Sequence, residues 1–107
     1  MDEIRKSFEI IDRRFKDYEE RIQILEFNLV AIIKNSKLFK DDDEIAWPRV
    51  LHKSIANLPK TLRDFKNLED SVATPILNFY NLEKKETDDE NKKILAEKIG
   101  LNSFIFV

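Results

Sequence analysis

The sequence has no cysteine, which excludes a disulfide framework and any thiolate metal site and agrees with a reducing compartment. It has one glycine and three prolines. Sheets draw on such residues for their many tight turns, so this scarcity points to few, long elements, hence helices. A single glycine also excludes a glycine-rich phosphate loop. Long apolar runs are missing as well: residues 29–33 form the longest, far short of a membrane span. The N-terminus (Met1, Asp2, Glu3) lacks the basic region and apolar core of a signal peptide. A cytoplasmic protein with no membrane association is the expectation. No sign of charge dominates. The chain carries 19 Lys+Arg against 21 Asp+Glu, a net charge of −2, which gives no basic footprint for non-specific nucleic-acid binding.

What is present is a heptad repeat. Ile4, Phe8, Ile11, Phe15, Tyr18, Ile22, Leu25, Leu29 and Ile32 alternate steps of four and three without a break. That spacing keeps one seam of a helix against a partner helix. With Phe8, Phe15, Ile22 and Leu29 at the a positions, Arg14 and Arg21 fall at g and Glu19 and Glu26 at e. A parallel dimer pairs Arg14 with Glu19 and Arg21 with Glu26 across the interface, whereas an antiparallel one opposes like charges. Aromatics at a and d are bulky for a tight two-stranded seam and leave room for a wider bundle.

The predicted order is a long helix over residues 2–37, an acidic loop over 38–46, and helices over 47–57, 60–84 and 89–99, the second of these kinked or broken near Pro75. An apolar tail over 102–107 follows. The long helix would reach about 54 Å at 1.5 Å per residue. A compact domain of this size has a radius of gyration of about 13 Å, so the helix is too long for its own domain to cover. From Ile24 onward Phe27, Val30 and Ile33 join the seam, and this half is expected to sit inside the bundle, buried on more than one side. Pro48 suits a first helical position, and a helix there would bury Trp47, Leu51, Ile55 and Leu58. Asn57 and Asp88 are the expected caps of the next two helices, and Gly100 the final stop. Thr74 is placed to cap a restart at Pro75.

The resulting fold class is all-α: an antiparallel helical bundle, one domain, with one long heptad-bearing helix and about three shorter ones.

Chemistry is sparse. His52 is the only histidine, and Ser54 points to another side of a helix, so no local nucleophile pair exists. Asp41, Asp42, Asp43 and Glu44 lack the alternation and central glycine of a calcium loop and read as capping and solvation. No catalytic residue, cofactor or metal ligand is assigned, and no enzymatic activity is expected. Residues 94–101 (ILAEKIGL) pair small Ala96 with a turn at Gly100 and apolar Leu95, Ile99 and Leu101. This stretch resembles the first helix and turn of a helix-turn-helix motif, which implies DNA reading by a following helix capped at Ser103. Too little chain follows Ser103 in this sequence for such a helix, so Gly100 reads as a helix stop with Leu101 as its hydrophobic contact. Phe104, Ile105, Phe106 and Val107 are expected to pack on the bundle or to dock on a partner.

The function expected is a non-enzymatic protein-interaction module, an adaptor, assembly subunit or small regulator. It would self-associate as a dimer through Ile4, Phe8, Ile11, Phe15, Tyr18 and Ile22, with Asp41, Asp42, Asp43 and Glu44 as a second bearing surface. The alternative is a nucleic-acid-associated regulator using Arg49, Lys53, Lys60 and Arg63 on one helical face.

Overall fold

The computed structural model describes residues 2–102, and four helices with no strand account for their regular structure: α1 (Asp2–Asn35), α2 (Leu62–Lys66), α3 (Asp70–Phe79) and α4 (Asp88–Ile99). The fold is all-α with a long N-terminal helix, as the scarcity of turn residues implied. Asp2 and Glu3 in the first turn of α1 and Lys34 in its last turn suit the helix dipole. The helix stops two residues before the expected boundary, loosening into turns at Lys37 and Leu38.

The core is built by the shorter helices. Leu62, Phe65, Leu68, Ala73, Ile76, Leu77, Tyr80, Leu95, Ala96, Ile99 and Leu101 bury together with Ile45. Trp47 lies over this cluster, its ring centroid 6.2 Å from Phe65 and 6.4 Å from Tyr80. α1 contributes Ala31 and Asn35 to the buried set and little else.

That corrects the expectation that α1 is buried on several sides from Ile24 onward. Leu25, Phe27, Leu29, Val30, Ile32 and Ile33 all remain exposed. The body docks on a different stripe. Asp17, Ile24, Asn28, Ala31 and Asn35 are the only described positions of α1 that are not exposed. They too follow a near-heptad spacing. At 3.6 residues per turn this stripe is centred roughly 110–130° around the axis from the apolar seam.

What holds the body there is polar. The Asn35 amide donates to the carbonyls of Ala46 (2.7 Å) and Ile99 (2.7 Å) and accepts from the Ala46 N–H (2.8 Å). Asn28 treats Arg49 the same way, donating to its carbonyl (2.9 Å) and accepting from its N–H (2.6 Å). In α4, Asn91 accepts from the Lys85 N–H and donates to its carbonyl. Each amide thus stands in for the peptide group of a neighbouring strand. Gly100 completes the junction. A Cβ there would lie 2.7 Å from Ile32 Cγ2 and 2.8 Å from the Ile32 carbonyl, so the end of α4 passes α1 closely only because the residue is glycine.

The helix expected over 47–57 is absent. Its backbone groups are already taken: Ala46 and Arg49 by the asparagines, and the Pro48 carbonyl by the Tyr80 hydroxyl at 2.7 Å. The Trp47 indole donates to the Pro59 carbonyl at 2.6 Å. His52 (φ 60°) and Asn57 (φ 63°) lie in the left-handed region, and a turn joins Val50 to Lys53. Asn57 is therefore not a cap. Thr61 caps α2 by accepting from the Asp64 N–H.

The break expected at Pro75 lies earlier, at residues 67–69. Pro75, the sixth of the ten residues of α3, forfeits one backbone bond without ending the helix, and the Thr74 hydroxyl donates back to the Asp70 carbonyl at 3.0 Å rather than capping a restart. Thr87, one residue before the expected Asp88, caps α4 by accepting from the Glu90 N–H. α3 and α4 both end in a left-handed residue, Asn81 (φ 56°) and Gly100 (φ 86°). The next N–H reaches back five residues in each case, from Leu82 to Leu77 and from Leu101 to Ala96, the closing bond of a Schellman motif.

Candidate interaction surface

All nine heptad residues are exposed, by between 39 % (Ile32) and 68 % (Leu25). Ile4, Phe8, Ile11 and Phe15 lie on the stretch of α1 over residues 2–16 where every residue is exposed, and Tyr18 and Ile22 lie just beyond it, where the loop carrying His52 comes over another side of the helix. The flanking charges are also outside. Arg21 lies 3.4 Å from Asp17 and Lys16 lies 3.6 Å from Asp12, each one helical turn apart. Neither short pair fixes its side chain strongly, since exposed pairs contribute little.

The acidic run lies at the other end of α1 and is turned inward to the chain's own loops. Asp41 receives the Lys66 ammonium at 2.9 Å, and this hydrogen bond and charge hold its carboxyl below the usual range. Asp43 accepts the N–H groups of Lys40 (2.9 Å) and Phe39 (3.0 Å), which lower its pKa likewise. The Asp41 and Asp43 carbonyls take the N–H groups of Arg63 and Leu62, so the run holds the start of α2. Glu44 faces Lys60 at 3.8 Å. Seam and acidic run are therefore two separate places.

Arg49, Lys53, Lys60 and Arg63 do not share a helical face, because residues 47–57 are not helical. Arg49 lies over the Phe27 ring, 4.1 Å from its centroid. The segment from Ser103 to Val107, with the apolar motif and the second helix implied by the helix-turn-helix resemblance, lies outside the described residues.

One cluster was not expected. Asp17 and Glu20, one turn apart on α1, and His52, from the turn over residues 50–53, place one ligand-type atom each within 4.8 Å of one another. The sequence separates His52 from the two acids by more than thirty residues, and only the loop bonded to Asn28 brings them together. The signal that could have found this face is the pair Asn28 and Asn35, seven apart on one stripe of a long helix. A search for apolar periodicity passes over it.

No helix among the described residues is long and apolar enough to cross a membrane. Comparison with known proteins gives no match: no family model, no curated protein and no solved structure is similar to this chain.

Proposed function

We propose that this chain is a non-enzymatic interaction module of the cytoplasm that pairs with a second copy of itself, in parallel, through the α1 seam. The observation that carries the reading is the stripe of nine exposed apolar residues along α1, of which only Ile32, beside Gly100, meets the body. With Phe and Tyr side chains offering 150–250 Å² each, the stripe presents roughly 1,000 Å² per copy, enough to reach the range of stable interfaces when two copies meet. Exposed apolar patches beyond a few hundred Å² mark interaction sites. A second copy is favoured as occupant because the heptad is self-complementary and its flanks carry Arg at g and Glu at e, the arrangement that matches itself in parallel. The acidic run is a lesser surface in this reading, since Asp41, Asp43 and Glu44 already have partners within the chain.

Sedimentation equilibrium tests the pairing. The parent chain is expected at twice its 12.7 kDa mass. The double variant Phe15→Asp/Tyr18→Asp is expected at the single mass, with the near-ultraviolet signal of Trp47 kept. Equal masses for parent and variant would remove the seam as the site of association.

A further inference from the structure

The only group of three potential metal-ligating side chains among the described residues is Asp17, Glu20 and His52. We propose that these three bind a divalent cation of the zinc type and thereby fasten the turn over residues 50–53 to α1. The chemistry of the donors selects the ion. One imidazole nitrogen with two carboxylate oxygens suits a borderline first-row cation, whereas calcium and magnesium take oxygen sets. Three protein ligands leave one position of a tetrahedral zinc site for water.

The placement is specific. His52 is the chain's single histidine, and it occupies the i+2 position of a turn at φ 60°, closed by a Lys53 N–H to Val50 carbonyl bond. Asn28 fixes the preceding Arg49 to α1 through two hydrogen bonds, which brings the turn over the helix. On α1 the acids stand at i and i+3, the spacing that puts two side chains on one face. Neither the His52 nor the Glu20 side chain makes a hydrogen bond or ion pair among the described residues, and the Asp17 side chain has only Arg21 at 3.4 Å. A carboxylate has two oxygens, so Asp17 keeps Arg21 on one while offering the other, and Arg21 then orients the ligand. Around zinc at ~2.0–2.1 Å bonds, ligand atoms lie about 3.4 Å apart. The three ligand atoms stand within 4.8 Å of one another on side chains that are exposed or half-buried, which leaves their rotamers room to adjust to that spacing. The cluster lies well away around α1 from Phe15 and Tyr18, so it stands or falls independently of the seam.

The test uses the full chain without a histidine tag. Zinc chloride is titrated while the imidazole proton and nitrogen resonances are followed by NMR, which need no assignment with one histidine present. The expected result is a saturable change at one equivalent. Glu20→Gln and Asp17→Asn are each expected to raise the midpoint about ten-fold, and His52→Gln to abolish the saturable heat in calorimetry. Zinc is also expected to slow amide exchange over residues 49–53. Helical circular dichroism confirms that each variant keeps its fold. Imidazole resonances that do not move with millimolar zinc, or that move equally in the parent and in Glu20→Gln, would overturn the site.

Discussion

At the scale of single residues, three asparagines organise the molecule. Asn28, Asn35 and Asn91 each present both amide atoms to the N–H and carbonyl of one loop residue. Such a side chain satisfies two backbone groups that would otherwise be left without a partner. Asn35 is fully buried and carries a third bond, to Ile99. Asn35→Leu keeps the branched shape, with bulkier methyl groups, but strands the Ala46 N–H and two carbonyls. It is expected to cost about 2–4 kcal/mol in urea unfolding. Tyr80 supplies a pH signature. Its phenol donates to the Pro48 carbonyl, and burial pushes its pKa up from 10.0 to about 12. Below pH 10 both folded and unfolded chains hold this proton. Between about pH 10 and 12 the unfolded chain binds fewer protons, so stability falls as pH rises, by about 2 kcal/mol across the window. Unfolding midpoints measured from pH 9 to 12 check this, with Tyr80→Phe expected to flatten the slope. Gly100 was legible in the sequence, because a lone glycine after a periodic segment is a local signal. The asparagines were not, because their partners lie six to sixty-four residues away.

Elements that follow their own periodicity were read well, and elements decided by tertiary bonds were not. α1 and α4 carry their start and stop signals locally. The segment after Trp47 has the proline and apolar spacing of a helix, yet its peptide groups pair with Asn28, Asn35 and Tyr80. The long helix was legible from its apolar period, but half of that stripe was expected in the core and the structure leaves it exposed. The body instead docks on a stripe mixing Asp17, Ile24, Asn28, Ala31 and Asn35, which has the same period without the hydrophobicity that makes a stripe visible. The orientation of the proposed pair is testable on its flanks. Arg14→Glu/Arg21→Glu sets Glu against Glu in a parallel pair and is expected to weaken association by roughly 1–3 kcal/mol at low salt, from two exposed pairs per side. Adding Glu19→Arg/Glu26→Arg is expected to restore it. An antiparallel pair opposes like charges before and after the full exchange, and the same sedimentation series separates the two.

The whole molecule is elongated, with a radius of gyration of 18.0 Å and extents of 65 × 28 × 19 Å. A compact chain of this length comes to about 13 Å. The excess is the start of α1, residues 2–16, all of them exposed. Removing residues 1–14 is therefore expected to leave the unfolding midpoint of the dilute protein within about 0.5 kcal/mol of the parent. It should also erase the rise of that midpoint with protein concentration that the proposed self-association would produce. Calorimetry at two concentrations reads both effects. One consequence of the offset between the two stripes on α1 lies beyond the chain itself. In the proposed parallel pair the two bodies would sit to either side of the joined rods, at the same end, like paired flags on one mast. Whatever a body grips, the assembly grips twice. For a ligand with matching repeats this raises the effective concentration at the second body and multiplies a modest affinity by 10²–10⁴. The length of the mast decides which repeats are in reach.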